Sequence, residues 1–402
     1  MSGLYIAGAG ASGMMAAIAA ARSGAHPVII AGRTAPGKKI LMTGNGRCNF
    51  TNLRMKKECY HSAWPDGPMK VLRSFGSRDT IAFFREMGML SCERDGYVYP
   101  RSMQASSVRE VLLGEIRKLK IQMIEEDPLK AAALSEDGGF LLTLVSGKTL
   151  SADRLIMCTG GMAAPATGSD GSGLEILKTL GIKIIPTVPA LTGLLSEDPC
   201  CSVWHGVRTH GRVTVCDRSG KPHSDTGELQ LMKNGISGIP VFQVSRHTAY
   251  VLKDRPAAEA IVDFMPEEDA DLRKILDRKD LTAAEALHGA FPIKLAEVFL
   301  KRLGVRPDTA VSQADPKKIM NMIHSFRLTV RAVRNYEEAQ VTAGGVDLRS
   351  VDLGTMESRN IPGLYFAGEI LDADGICGGY NLQWAFSTGY TAGVSAASYM
   401  ES

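Results

Sequence analysis

The first 21 residues of this 402-residue chain carry no charged side chain. Such a stretch is long enough to suggest a membrane span or a leader. No basic residue precedes it, however, and Gly3, Gly8, Gly10 and Gly13 interrupt it, so a strand, a glycine turn and a helix account for it better. The eight cysteines include no Cys-x-x-Cys, and no histidine pair stands beside them at zinc-ligand spacing. That excludes a metal site recognisable from sequence and points to reduced thiols in a cytoplasmic protein. Concentrated positive charge is lacking too. The net charge is +3, and the densest basic stretch, Arg117-Lys118-Leu119-Lys120, ends a predicted helix, where cations complement the dipole. No aromatic run interleaves with it, so neither nucleic acid nor membrane is an expected partner. There is no internal repeat and no low-complexity segment. What remains is an ordinary globular composition, 45% hydrophobic and 22% charged, on a chain too long for one core.

Apolar periodicity orders the chain. Leu4–Ala7 reads as a buried strand, Met14–Arg22 as an alanine-rich helix stopped by Ser23-Gly24, and Pro27–Ala31 as the next buried strand. Residues 68–88 and Val108–Leu119 read as helices, the second opened by a capping box at Ser107-x-x-Glu110. Strands are expected at Ile121–Ile124, Phe140–Val145 and Arg154–Cys158, and a short helix at Gly173–Leu180. Near Pro186–Pro189 the texture changes. Residues 190–265 carry strand-like pieces such as Arg212–Cys216 and Ala260–Phe264 around one helix near Val241–Leu252, and 267–325 is almost purely helical. Strand-and-glycine texture then returns. The expected organisation is an α/β nucleotide-binding domain (1–187 and 340–402), interrupted by a β-rich, substrate-side insert (188–266 and 326–339) that carries a helical subdomain (267–325).

Gly8-x-Gly10-x-x-Gly13 lies between the first strand and helix. In such a fingerprint the first glycine allows a tight turn, the second admits a pyrophosphate, and the third lets helix and strand pack closely. The helix N-terminus, starting near Ser12, then offers its N–H groups to the phosphates. The usual acidic ribose anchor is missing: the second strand ends Ile30-Ala31-Gly32-Arg33. Arg33 or backbone groups are left to serve there, and a basic residue at this place also suits the 2′-phosphate of NADP. Three further segments favour a flat, anionic flavin. The loop 37–52 is rich in glycine, basic and amide groups, including Lys38, Gly44, Gly46, Arg47, Cys48, Asn49 and Phe50. Leu155–Gly161 is a strand ending in Thr159-Gly160-Gly161, and Gly363–Glu369 is a strand ending in Gly368-Glu369. The segment 374–389 contains Gly378-Gly379-Tyr380-Asn381-Leu382 at the start of a predicted helix, whose N-terminus would stabilise negative charge on a reduced flavin.

On these residues the chain resembles the BaiN/RdsA-type (YhiN-like) NAD(P)/FAD-dependent oxidoreductases over nearly its full length. The resemblance rests on Gly-Arg-Cys-Asn-x-Thr-Asn at 46–52, Cys158-Thr159-Gly160-Gly161, Gly235-Ile236-Ser237-Gly238, Thr342–Val346, and Gly-Gly-Tyr-Asn-Leu-Gln-Trp-Ala at 378–385. It implies an α/β, two-dinucleotide-binding-domain flavoprotein with a Rossmann-like FAD domain, a β-barrel-like insert and a helical subdomain. It also implies non-covalent FAD contacts at Gly13, Lys38, Gly44, Asn49, Phe50, Glu369, Asn381 and Leu382, with the adenine near Leu129. The family usually has Glu at the position of Ala31, and commonly Phe-Thr in the motif that reads Leu231-Met232 here.

The activity expected from the resemblance is reduction of an activated C=C bond in a small enone or steroid-like substrate. NAD(P)H would visit as transient electron donor, since no second dinucleotide fingerprint is present. The alternatives are an amine or aminoketone oxidase using O₂, a non-catalytic flavin-binding sensor or assembly factor, and a plain NAD dehydrogenase. Catalytic residues and oligomeric state are not legible. His205, His210, Tyr250 and Tyr380 are candidate proton donors that more often play structural roles. Cys48 and Cys377 are a conceivable redox pair, but small side chains packed near the ring explain them as well. Cys200-Cys201 reads as an inert loop dipeptide, Met320 and Met322 as packing, and the Ser237 segment as an interface turn before a helix.

Overall fold

The computed structural model describes residues 3–136, 138–267 and 270–398. The chain forms two compact units, Met1–Thr187 with Val341–Ser402, and Val188–Gln340.

The first unit is built on a five-stranded parallel sheet. Its order is Leu364–Phe366, Arg154–Met157, Leu4–Ala7, Val28–Ile30, Gln122–Ile124. The central strands are buried on both faces, which is why they read as unbroken apolar runs rather than alternating ones. The helix Ala11–Arg22 is buried from Ser12 through Ala20. Its small residues let the C-terminal helix Tyr380–Ser398 lie against it at backbone contact: Cβ atoms at Gly389 and Gly393 would come within 2.5 Å of Ser12 O and 2.3 Å of Ala16 O. A three-stranded antiparallel sheet, Leu129–Leu134, Phe140–Leu144 and Thr149–Ala152, a second one, Thr51–Asn52, Tyr97–Pro100 and Ser91–Arg94, and the strand pair Asp374–Gly375 with Tyr60–His61 also belong to this unit. Fully buried Phe50, Phe84, Phe140, Tyr365, Phe366, Trp384 and Phe386 anchor its core.

Two local expectations are corrected. Residues 68–88 form two helices, Gly67–Ser74 and Ser77–Glu86, with Phe75 extended between them. The Phe75 carbonyl turns away to accept bonds from Ser387 Oγ (2.6 Å) and Gln383 Nε2 (3.4 Å), and Gly76 N–H donates to Asp79 to open the second helix. Ser107 is not an N-cap either. Its helix runs Ala105–Lys118, because Ala105 is buried and already helical, and Ser107 Oγ pairs with Ser102 Oγ at 2.7 Å.

The second unit holds a seven-stranded sheet. Its order is Phe326–Val330, Ala258–Asp263, Arg208–Cys216, Pro222–Met232, Gly235–Ser237, Leu194–Leu195, Ala332–Val333. All the pairings are antiparallel. The first and last strands of that order are consecutive in the chain, interrupted only at Arg331, so the sheet closes on itself as a barrel-like structure. The helix Ile239–Leu252 packs on the paired strands Arg208–Cys216 and Pro222–Met232. Ser237 therefore lies in a strand of the barrel rather than a turn, and Cys200-Cys201 opens the buried helix Cys200–Trp204 rather than a loop. The helices Ala270–Leu276, Ala283–His288, Ile293–Leu303 and Pro316–His324 have no core of their own. Leu272, Leu287, Phe299 and Ile323 share one apolar cluster with Val213, Leu229, Val262 and Phe326 of the sheet. Edge-to-face and tilted contacts among Trp204, Phe264, Phe299 and Phe326 fill its centre.

Candidate functional site

The candidate site lies in the first unit, where the parallel sheet delivers its loops to one edge. Gly8 follows the central strand at φ +110°, its N–H donating to Ile30 O at 2.8 Å, and a Cβ there would sit 2.4 Å from Cys158 O. Only glycine permits this turn. A Cβ at Gly13 would meet Gly8 O at 1.9 Å, so the helix starts hard against the strand. Gly10, by contrast, faces open space within 4 Å. The helix that begins at Ala11 has no side-chain cap and no acidic residue in its first turn. Its N–H groups and partial positive charge are left for an anion. Ser12 is buried against Gly368, where a Cβ would lie 2.4 Å from Ser12 Oγ. Burial pushes the neighbouring Cys158 thiol up to about 12, with Ser12 lowering it in part.

The loop after the second strand is an irregular 3-10 segment, Lys38–Gly46, with Gly44 and Asn45 in left-handed conformations. Gly44, Gly46 and Arg47 are exposed, as is Arg33, whereas Cys48, Asn49 and Phe50 turn inward and are buried. Phe50 packs on Phe84 with ring centroids 5.3 Å apart. Burial raises the Cys48 thiol to about 12, only partly offset by its bond with Thr43. A reactive thiolate at Cys48, as a redox pair with Cys377 requires, is therefore disfavoured.

Asn49 is the most informative residue of the loop. Its side-chain Oδ1 and Nδ2 are both buried and have no hydrogen-bond partner. An unsatisfied buried amide costs free energy, of order 1–3 kcal/mol. It stands at Gly379, where a Cβ would fall 1.9 Å from Asn49 Oδ1. Thr159 Oγ1, at the end of the strand Arg154–Met157, is the other orphan of this unit. The amide of Asn49 and the bare backbone at Gly379 suit the polar edge of a flat ligand such as a flavin. Gly378, Gly160 and Leu382 are half-buried, Gly161 is buried, and Leu129 begins the three-stranded sheet.

The C-terminal motif is held by three residues. Asn381 spends its side chain on Gly375, accepting from its N–H and donating to its carbonyl at 2.8 Å each. That anchors the strand pair Asp374–Gly375 with Tyr60–His61, so only Asn381 backbone is left for a ligand. Gln383, which the sequence did not single out, accepts a short bond from Thr51 and donates to Thr80 Oγ1 and Ser387 Oγ at 2.8 Å. Tyr380 donates to Arg54 O at 3.3 Å, while burial and the adjacent Cys59 thiol push its phenol above the usual range.

Glu369 and Lys39 complete the cradle. Glu369 Oε2 accepts from Lys39 Nζ at 2.7 Å, and Oε1 accepts from Thr342 N–H at 3.0 Å. Lys39 also donates to Ala163 O at 3.0 Å, and Lys38 to Ala166 O at 2.9 Å. Thr342 Oγ1 in turn accepts from the N–H groups of Met162 and Ala163. Lys39 and Gln383 were missed because nothing in their spacing sets them apart from neighbouring residues.

In the second unit His205 and His210 are exposed. The Tyr250 carbonyl accepts from Arg218, with the guanidinium groups of Arg218 and Arg246 each 5.5 Å from its ring. Met232 sets its sulfur 3.2 Å from Arg334 Nη2. Met320 and Met322 pack on the apolar cluster.

A parallel sheet, a strand-glycine-helix turn and a helix N-terminus free of side-chain caps define a dinucleotide-binding protein of Rossmann type. The chain belongs to the family described as HI0933-like protein Rossmann domain, whose model matches residues 3–395. It is 42% identical over 408 aligned residues to a 3-dehydro-bile acid delta(4,6)-reductase of Clostridium scindens, covering 99% of each chain. A ribosomal RNA dihydrouridine synthase of Escherichia coli is 30% identical, with 96% of this chain and 95% of the relative covered. Among solved structures, a 3-ketosteroid delta1-dehydrogenase from Sterolibacterium denitrificans superposes with a TM-score of 0.54 at 12% identity, covering 98% of this chain and 99% of that one. That likeness bears on the fold alone. Among the described residues no helix is long and apolar enough to cross a membrane.

Proposed function

We propose that the chain is an FAD-dependent oxidoreductase that reduces an activated carbon–carbon double bond in a small enone or steroid-like substrate, with NAD(P)H as transient electron donor. The observation that carries this reading is the full-length 42% identity to a relative named as a bile-acid reductase. The cradle of the first unit supports the cofactor part of this reading independently, through the open backbone at Gly10 and the orphaned amide of Asn49.

FAD supplies hydride transfer when bound. The pyrophosphate is assigned to Gly8, Gly10, Ser12 and Gly13, and the adenine to the neighbourhood of Leu129. Lys38, Gly44, Gly46, Arg47 and Cys48 form the clasp, and Asn49 and Phe50 its floor. Thr159, Gly160, Gly161, Gly368 and Glu369 would hold the ribityl chain, with Glu369 available to accept from its hydroxyls. Gly378, Gly379, Tyr380, Asn381 and Leu382 would hold the ring through their backbone. Ala31 carries no carboxylate, so the ribose falls to backbone groups or Arg33.

The name of the Escherichia coli relative supports a second reading, a uridine in ribosomal RNA as substrate. Forming dihydrouridine also saturates a double bond conjugated to a carbonyl, so both readings share the same reaction class. The higher identity to the bile-acid enzyme and a net charge of only +3 favour the small molecule. Anaerobic mixing of purified protein with NADH or NADPH is expected to bleach the visible flavin band, and a 3-keto-4,6-diene steroid to restore it as the dienone is consumed. Colourless folded protein that refuses FAD would overturn the reading. So would reduced flavin that the dienone leaves untouched while dihydrouridine-free ribosomal RNA reoxidises it.

A further inference from the structure

A cluster in the second unit is drawn from residues that have no part in the assignments above. The strands Arg208–Cys216 and Pro222–Met232 are joined by a tight turn, and the helix Ile239–Leu252 packs on them. Asp217 leads the turn, His223 follows it, and His247 comes from the helix. Each offers one ligand atom, and the three atoms lie within 4.8 Å of one another. His223 Nε2 is 2.9 Å from Asp217 Oδ2, and the two imidazoles stack with centroids 3.5 Å apart and planes 10° off parallel.

The arrangement is pre-organised without help from an ion. Asp217 Oδ1 accepts from Ser219 N–H (2.8 Å), Ser219 Oγ (2.6 Å) and Lys221 N–H (3.1 Å), which fixes the carboxylate and aims Oδ2 at His223. Arg218 clamps the turn to the helix, donating to Tyr250 O at 2.9 Å and pairing with Asp254 at 2.8 Å. The turn is thus tied to the helix by Arg218, through contacts that do not involve the three ligating side chains, and Asp217 is fixed through the oxygen that faces away from His223. His247 is buried, while Asp217 and His223 keep 26% and 23% side-chain exposure, enough for an ion to enter.

We propose that Asp217, His223 and His247 form a binding site for a divalent first-row transition cation of the zinc type, with water completing the coordination. Two imidazoles and one carboxylate are the donor set such ions prefer over magnesium or calcium, which favour all-oxygen sites. Bonds of about 2.0–2.1 Å set tetrahedral ligand atoms roughly 3.3 Å apart, so the atoms need to close up and the stacked rings to turn about their side-chain bonds until their in-plane lone pairs meet at one ion. The ion takes the place of the proton shared by His223 and Asp217, and the ordered contacts to Asp217 Oδ1 serve as its outer shell. Lys221 and Arg246 are the nearby opposing charges. Lys221 is exposed and free to swing away, and Arg246 already faces the Tyr250 ring. Histidines 24 positions apart on a strand and a helix leave no spacing signature, which is why the sequence shows no such site.

The test is equilibrium dialysis of the full, cofactor-loaded chain against zinc chloride after chelator treatment, with metal content read by mass spectrometry. The expected result is one zinc per chain, not displaced by excess magnesium, together with a zinc-dependent rise in the unfolding midpoint. His223→Ala, His247→Ala and Asp217→Asn should each weaken binding at least about tenfold and abolish the rise, with flavin content unchanged. Asp217→Asn, a near-isosteric change on an exposed turn, keeps the test valid if a histidine variant misfolds. Absence of stoichiometric zinc in the unmodified chain overturns the proposal. Zinc bound equally well by Asp217→Asn and the histidine variants overturns it too, since the ion would then sit elsewhere.

Discussion

The two units differ in what they ask of the backbone. Among the described residues the first contains eight non-glycine residues at positive φ, among them Asn45 and Cys48 in the loop and Ala164 after the Thr159-Gly160-Gly161 turn, whereas the second contains one, Leu191. The first unit shapes its site with main chain: bare glycine faces, a helix N-terminus free of side-chain caps, and carbonyls that hold Lys38 and Lys39. The second uses regular strands and helices, and its notable constellation is made of side chains. A site built from backbone writes itself into the sequence as glycine spacing. A site built from side chains on separate elements does not.

The sharpest way to break this contrast is at Gly8. A Gly8→Val change places a Cβ 2.4 Å from Cys158 O at φ +110°. It should cost about 3 kcal/mol or more and abolish flavin retention, read by urea unfolding and absorbance. A stable, yellow variant would show that the turn is not backbone-dictated.

Next in size is a pH effect at Asp347 of the first unit. Burial pushes this carboxyl up, but its bonds with Arg349 and Lys183 more than offset that and hold it down to about 2. A depressed carboxylate contributes stability above the unfolded pKa near 4 that is lost as pH falls through about 2. Asp347→Asn should therefore remove about 2 kcal/mol at pH 7 and flatten the acid limb of the stability curve between roughly pH 4 and 2. An unchanged acid limb would sink the assignment.

Asn49→Leu is smaller in energy and more diagnostic. It replaces an orphaned amide with an apolar group of similar volume, so flavin-free protein should gain about 1 kcal/mol in urea unfolding. FAD affinity should fall at least about tenfold, the loss of one charge-independent hydrogen-bonding partner pair. A loss of stability in the flavin-free protein would mean the amide already serves the fold. The mildest test uses thiols. Cys48 and Cys158, each raised to about 12 by burial, should resist alkylation of native protein at pH 8, while exposed Cys216 of the second unit reacts. Rapid labelling of Cys48 would contradict the tight loop.

Much of the first unit was legible in the sequence. The strands Leu4–Ala7 and Arg154–Met157 and the glycine turn follow from apolar runs and spacing, and the helix Ala11–Arg22 starts three residues before the periodicity suggested. Missed elements have identifiable causes. Leu129–Leu134 reads Leu-Lys-Ala-Ala-Ala-Leu, and alanine carries little strand preference, so sheet pairing with Phe140–Leu144 decides it. Pro222–Met232 begins Pro-His-Ser-Asp-Thr-Gly-Glu, with burial confined to Leu229 and Leu231; it is held by its register against Arg208–Cys216, not by its own pattern. At the site, Asn49 and Gln383 both stood inside motifs with a resemblance, but the roles of Gln383 and Lys39 come from partners distant in sequence, Thr51 and Glu369, which no local pattern displays.

The backbone contact between the helices Ala11–Arg22 and Tyr380–Ser398 has a bearing on biosynthesis. At translation rates of about 5–20 residues per second, tens of seconds separate the emergence of the two. Throughout that interval the alanine-rich helix has only the sheet strands and the helix Ala105–Lys118 to pack on, and the face that meets the C-terminal helix stays uncovered. A cradle that includes Gly378–Leu382 thus stays incomplete until those residues emerge, and a nascent chain stalled before Tyr380 would leave one apolar face of the helix Ala11–Arg22 open to chaperones.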